Sequence, residues 1–458
     1  MCKVSVIMPS LNVAKYIRQC IESVMSQTLG DIEIICVDAG STDGTAEILK
    51  ECASKDSRII LLHSDVKSYG HQMNIGIQKA SGEYIGVVET DDYVENNMFE
   101  RLYTVAKKNN ADIAKGAMYI NYEYDNFKSI EMFGDYLDSN AGIENTLIDP
   151  SDNPNVFLYN SNLWNGIYKR DFLVTNKILF NETPGAAYQD IGFHHQIFNY
   201  AHRVVYIRNY LYHYRVLREG SSSCNDKILR NVYQEYKWLW DSGRLKCYSG
   251  NFFFKMAVDA IGEYKRLLQY YDFDCSKIKD SEMLPWFRNE ILTLKSNNLF
   301  LGSDIERDLY LFLLGNGWLE NEYKEKVSAI KKWYDSFYEN ASKNGVVLFG
   351  VGNYGKFLAP FLIRNGLPPV TYTDNDEASW GTKFSLPVNS SFIIQKPSAV
   401  IENFPKSTYL VASKNFGEDI KNQLLSADIK EKNIVVYDGQ DQILQRALAV
   451  VPYLITRE

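Results

Sequence analysis

Two periodicities alternate in the first 115 residues, and this limits what the chain can become. Short β-rich runs, Val4–Met8, Ile32–Val37, Arg58–Leu62 and Tyr84–Val88, are separated by stretches that include apolar residues at helical spacing. Val13, Ile17, Ile21, Val24 and Met25 recur that way behind Asn12, and Ile48, Leu49 and Cys52 behind Asp43, two residues suited to capping a helix. Such alternation predicts βαβ units on a mainly parallel sheet, each helix covering one face. The carboxyl ends of the strands then share one edge, where open α/β sheets bind ligands.

The rest of the chain changes character twice. Residues 116–222 are less regular and rich in Asn, Tyr and Asp, as loops that assemble a site on a rigid layer would be. From about 225 to 340 Gly and Pro become sparse and apolar residues recur at three and four, as in 252–268 and 323–338, which predicts a helical section. Its Trp and Tyr residues are expected in helix packing. A smaller α/β layer opens at Asn344-Gly345, with strands at Val346–Phe349, Val370–Thr373, Tyr409–Ala412 and Asn433–Tyr437. At 458 residues the chain needs several cores. A net charge of −8 gives no field to hold nucleic acid, which is not expected as a partner. No apolar run approaches the length of a membrane span, and Lys3 followed by Val4–Met8 is too short for a secretory signal. A cytoplasmic location is expected. Seven scattered cysteines without a C-x-x-C pair argue against disulfides or zinc and for buried thiols.

Polar residues crowd the ends of three predicted strands. Glu89-Thr90-Asp91-Asp92 follows the fourth strand and sets three carboxylates within four residues. Their mutual repulsion is relieved most simply by a hard cation, Mg²⁺ or Mn²⁺, completed by phosphate oxygens, although a solvated acidic turn would read the same. Pro9-Ser10-Leu11-Asn12 follows the first strand and Asp38-Ala39-Gly40-Ser41-Thr42-Asp43-Gly44 the second. Gly40 permits close backbone approach, and the Asp38 carboxylate can accept the imide N–H of a uracil. Gly70-His71-Gln72-Met73-Asn74-Ile75-Gly76 lies between the third and fourth strands and can be read as turn chemistry.

In this order the residues resemble the family 2 glycosyltransferases of the GT-A fold. The likeness continues at Trp164-Asn165-Gly166-Ile167-Tyr168-Lys169-Arg170 and Tyr188-Gln189-Asp190, covering about the first 220 residues. The resemblance implies inverting transfer of a sugar from a nucleotide sugar, usually a UDP-sugar, to an acceptor hydroxyl with Mn²⁺ or Mg²⁺. It implies that Pro9, Asn12 and Asp38 face the nucleoside, with Asn74 also on the donor, that Asp91 lies near ribose and metal, and that Asp92 lies near metal or donor sugar. The catalytic base falls on Asp190, for which capping of a helix at 191–200 is the structural alternative. Tyr212-His213-Tyr214-Arg215, with Arg218 beyond, resembles a segment that closes the donor site. Arg215 or Arg218 would then pair with diphosphate, and His213 would join the metal, unless the segment is simply a strand. Ala39, Glu89, Met73 and Gln189 depart from the usual Asp, Asp, Arg and Glu.

A second motif, Gly350-Val351-Gly352-Asn353-Tyr354-Gly355, sits between a predicted strand and helix, and Asp374 ends the next strand. This G-x-G-x-x-G can bind a nucleotide at a helix N-terminus, or its glycines can serve packing alone. It resembles small Rossmann-like modules, with Thr373-Asp374-Asn375-Asp376, Trp380-Gly381 and Leu386-Pro387-Val388. The expected fold is thus α/β: a GT-A nucleotide-diphospho-sugar transferase domain over 1–222, a helical domain over 223–343, and a Rossmann-like domain with a tail over 344–458. The expected partners are a nucleotide-sugar donor and a glycan or lipid-linked acceptor, which leaves room for peripheral membrane association. Two other readings stand beside it: an NAD-binding, oxidoreductase- or epimerase-like activity in the C-terminal module, and a non-catalytic glycan-assembly subunit.

Overall fold

A computed structural model describes residues 2–122, 130–134, 144–153, 162–186, 188–216, 227–246, 250–278, 282–292, 303–364, 366–385, 391–413 and 415–437. Arg218, Cys224, Cys247 and Leu386-Pro387-Val388 lie outside them. The chain forms two compact units, Met1–Asn121 with Phe133–Leu268 and Asp274–Asn316, and Tyr122–Met132 with Gln269–Phe273 and Gly317–Glu458.

The first unit runs β1 (Val4–Ser10), α1 (Ala14–Met25), β2 (Ile32–Asp38), α2 (Thr45–Lys55), β3 (Ile59–His63), α3 (Tyr69–Lys79), β4 (Tyr84–Val87), β5 (Tyr93–Val94), α4 (Met98–Asn109), β6 (Ile113–Tyr122), β7 (Ile130–Gly134), β8 (Leu147–Ile148), β9 (Gly166–Lys169), α5 (Arg170–Thr175), α6 (Gln189–Tyr200) and β10 (Val204–Val216). Helices α7 (Ile228–Ser242), α8 (Gly250–Tyr270), α9 (Met283–Leu292) and α10 (Ser303–Leu314) follow. The sheet order is β3-β2-β1-β4-β9-β6-β10-β5, with β7 on β6 and β8 on β10. β3, β2, β1 and β4 are parallel and β9 joins antiparallel. Alternation along each strand feeds two cores. Val4, Val6 and Met8 pack with α1, α2 and α4, whereas Ile7, Ile35 and Val37 pack with α3, α5 and α6. Cys20, Cys36 and Cys52 are buried free thiols in the first core; Cys275 is exposed.

The four N-terminal strands fall within two residues of their sequence-derived bounds. α3 differs: Gly70 and Gly76 lower helix propensity, and the stretch can be read as turns from sequence. Both glycines are demanded by close packing. A Cβ on Gly70 would lie 1.9 Å from the Asn181 carbonyl oxygen, and one on Gly76 would lie 2.5 Å from Ile7.

The second unit has α11 (Trp318–Asn344), β11 (Val346–Phe349), α12 (Asn353–Arg364), β12 (Pro369–Thr373), β13 (Lys383–Ser385), β14 (Ser391–Gln395), α13 (Pro397–Asn403), β15 (Thr408–Ala412), α14 (Gly417–Ser426) and β16 (Ile434–Tyr437). The sheet order is β13-β14-β12-β11-β15-β16, parallel except for β13. Among the described residues no helix is long and apolar enough to cross a membrane.

Candidate active site

The loops after β1, β2 and β4 are tied to one another by their own side chains. Asp38 closes a turn, its Oδ2 accepting from the N–H groups of Gly40 (3.1 Å) and Ser41 (3.0 Å) and its Oδ1 from the Ser41 hydroxyl (2.5 Å). With about four lone-pair sites on a carboxylate, one acceptor position is left over. Neither Asn12 nor Asp43 is the cap residue of its helix; Val13 and Gly44 hold those positions and give no side-chain bond. Instead the first loops cap each other. Asp43 accepts from Ala14 N–H (2.9 Å) and Thr45 Oγ1 from Val13 N–H (2.9 Å), while Asn12, at φ +53°, accepts from Thr42 N–H (2.9 Å). Thr90 donates to the carbonyl of buried Pro9 (2.7 Å), and the Gln72 amide donates to the carbonyls of Ser10 (2.9 Å) and Val37 (2.7 Å). Gln72 had not been singled out from sequence. Its neighbour Met73 is wholly buried with Ile7 and Ile35, so that departure serves packing.

The three carboxylates of the acidic turn have different surroundings. Asp92 is buried, and its oxygens accept from the Tyr212 hydroxyl (2.8 Å) and the Arg215 N–H (2.8 Å). Burial and neighbouring Asp91 push its carboxyl well above the usual range, partly offset by those two bonds. Glu89 accepts from the Tyr69 hydroxyl (2.6 Å). Arg215 bonds the Asp91 carbonyl and Gln19 (2.5 Å), and its guanidinium lies over the rings of Tyr16 (5.2 Å) and Tyr93 (4.8 Å). His213 is stacked between Tyr93 (4.2 Å) and Tyr119 (4.7 Å), with Nε2 2.8 Å from Glu95. As successive strand residues, Tyr212 and His213 leave β10 on opposite faces, and it is Tyr212 that meets Asp92. To ligate a cation, Asp92 and His213 would each have to exchange these partners. Trp164 stacks on Tyr212 (4.2 Å) and so supports the turn from below. Among the described residues no group of three or more His, Cys, Asp or Glu is placed to hold a metal. The oxygen donors of Glu89 and Asp91 suit a hard cation that takes its other ligands from phosphate and water.

Helix α3 brings the acidic turn and Asp190 to common ground. Its first residue, Tyr69, donates its N–H to Gly185 (2.9 Å), and Gly185 donates to Lys67 (2.8 Å). Asn74 donates to Phe180 (3.0 Å) and Glu182 (2.8 Å) and accepts from Phe180 N–H (2.9 Å), so its amide holds the loop that precedes α6. Gln189 donates to Thr183 Oγ1 (3.0 Å) in the same loop, a bond that an ionised Glu cannot make. Asp190 occupies the first turn of α6, behind Tyr188 in the cap position, and accepts from Ile191 N–H (3.1 Å). The Tyr69 hydroxyl that bonds Glu89 is pushed upward by burial, by Glu89 and then by Asp190. Burial raises Asp190 itself to about 6, with Lys255 and the Ile191 N–H pulling it down and Asp259 pushing it up.

Sequence reading missed the groups behind this carboxylate. Lys115 on β6 is buried, donates to the Asn162 carbonyl, and is lowered by burial to about 7 against the opposing charge of Asp190. On α8 Lys255 pairs with Asp259 (2.5 Å), which accepts from Tyr236 (2.8 Å), whose hydroxyl is 3.1 Å from His195. The four-residue spacing of Lys255 and Asp259 announces an ion pair, but nothing local tells that it sits behind Asp190. The remaining predicted positions, Gly350, Gly352, Gly355 and Asp374, belong to the second unit, where Asp374 accepts from Val351 N–H (2.9 Å).

Residues 5–173 match the family model "Glycosyl transferase family 2". Glycosyltransferase GlyG of Streptococcus pneumoniae serotype 4 is 30% identical over 286 residues, 60% of this chain and 93% of that protein. The chain belongs to family 2 of the glycosyltransferases. EpsJ of Bacillus subtilis, an uncharacterized glycosyltransferase, is 33% identical over 46% of this chain and 60% of its own length. The poly(ribitol-phosphate) beta-glucosyltransferase of Bacillus spizizenii is 30% identical over 48% of this chain and 33% of its own. This family 2 chain is accordingly a glycosyltransferase.

Proposed function

We propose that the first unit, in a GT-A fold, transfers a sugar with inversion from a UDP-sugar to a hydroxyl of a glycan or lipid-linked acceptor, on the cytoplasmic side. The observation that carries this reading is Tyr69, which joins the acidic turn through Glu89 (2.6 Å) and the loop before Asp190 through the Gly185 carbonyl (2.9 Å). Asp190 takes the proton of the acceptor hydroxyl as that oxygen attacks the anomeric carbon and the nucleoside diphosphate leaves from the opposite face. A carboxyl near 6 is mostly ionised at neutral pH yet basic enough to accept a proton. The spare acceptor position on Asp38 suits an imide N–H, and Pro9 and Asn12 border the same edge. Asp91, with Glu89 beside it, would hold Mn²⁺ or Mg²⁺; bound there, the ion would neutralise the departing diphosphate. Asp92, Arg215 and His213 fix the turn that carries Asp91.

Incubation with UDP-sugars and Mn²⁺, followed by measurement of UDP release, tests the reading. Asp91→Ala and Asp190→Ala proteins that released UDP as fast as the parent would overturn the site. The anomeric configuration of the product, read by NMR coupling constants, tests inversion.

A further inference from the structure

The second unit holds a cleft of about 470 Å³, lined by Phe349 and Gly350, Gly352, Asp374, Ala412 and Ser413, and Phe416 with Ile420. These residues stand at the carboxyl ends of β11, β12 and β15, except Phe416 and Ile420, which open α14. In the order β14-β12-β11-β15-β16 the chain leaves β11 on one side and returns on the other, so β11 and β15 flank the topological switch point. Open α/β sheets bind ligands at that point. The cleft is therefore located by topology, independently of the glycine motif.

The three glycines of the motif separate cleanly. Gly350 sits at φ +108°, and a Cβ there would lie 2.5 Å from the Ala412 carbonyl oxygen; one on Gly355 would lie 2.0 Å from the Gly350 oxygen. Packing explains both. A Cβ on Gly352 would meet nothing within 4 Å, its φ is not in the left-handed region, and it lines the cleft just before α12. Nothing among the described residues requires that glycine, whereas a ligand approaching the backbone would. Opposite it Asp374, anchored to Val351 N–H (2.9 Å) and Asp376 N–H (2.9 Å), keeps lone pairs for hydroxyl donors. The Phe416 ring, 63% exposed at the rim, and buried Ile420 offer an apolar wall. Among the described residues no Lys, Arg or His lines the cleft, and Asp376 and Asp419 add negative charge.

We propose that this cleft binds a nucleoside diphosphate: phosphate against the backbone at Gly352, an unsubstituted ribose diol on Asp374, and the base against Phe416. The site is separate from the donor site of the first unit and does not depend on the function proposed for it. The acidic lining turns away a ribose bearing a 2′-phosphate. ADP and UDP, titrated calorimetrically with Mg²⁺ into the full chain, the Gly352→Val protein and the Asp91→Ala protein, test the proposal. At least one of the two nucleotides is expected to show a binding event weakened at least tenfold by Gly352→Val and unchanged by Asp91→Ala. The 2′-phosphorylated form of the nucleotide that binds is expected to bind at least tenfold more weakly. Because the valine enters open space, its melting temperature should match the parent, which shows that the fold is intact. Absence of any Gly352-dependent event at millimolar nucleotide, or nucleotide binding that vanishes only with Asp91→Ala, would overturn the proposal.

Discussion

Adjacent aspartates in one turn have separate duties, and single substitutions should divide them. Removing Asp92 strands two buried donors, Tyr212 O–H and Arg215 N–H, so Asp92→Ala should cost about 1–3 kcal/mol in urea unfolding. Asp91→Ala should abolish UDP release. Asp190 shares with Asp92 a carboxyl raised by burial, and its test is the pH dependence of stability. Burial lifts its folded value to about 6, above the ordinary value of about 3.9, so its ionisation disfavours the fold. That cost is absent below the unfolded value, grows as pH rises between the two, and is complete above the folded one. Asp190→Asn should thus melt higher than the parent at pH 8 and lose the difference at pH 4, while turnover falls by about 10²–10⁴-fold. The parent's kcat/KM should decline below about pH 6.

Two elements bear on Asp190, α3 through the bonds of Tyr69 and Asn74 to the loop before α6 and α8 through the charge of Lys255. Gly70→Ala would drive a methyl group into the Asn181 carbonyl, at an expected cost of about 1–3 kcal/mol, and would move the loop that leads to Asp190. A denaturation curve and the turnover of the surviving fold check it; unchanged turnover would show that α3 does not position the base. Lys255 holds Asp190 down, so Lys255→Met should shift the acid limb of the pH profile to higher pH. How far these elements could be read in the sequence follows from where their causes lie. The parallel strands were legible because Val4–Met8 and Ile32–Val37 declare their own burial. α3 was not, because Gly70 and Gly76 oppose a helix locally and are explained only by Asn181 and Ile7, distant in the chain. The site divides likewise. Asp38, Asp91 and Asp190 are candidates through an ordered motif, whereas Gln72, Lys115 and Lys255 act through partners that only folding supplies.

At the scale of the whole molecule, two units with separate sheets predict separate thermal transitions in calorimetry. UDP with Mn²⁺ should raise the transition of the first unit, with about 2.7 kcal/mol added at a hundredfold excess over Kd. The reciprocal capping of the first two loops carries a consequence for how the molecule comes into being. Asp43 and Thr45 complete the helix that begins at Ala14, so a nascent chain that has emerged only to residue 40 lacks the groups needed to finish its own first helix. The edge formed by these two loops is therefore complete only once both βα pairs are in place.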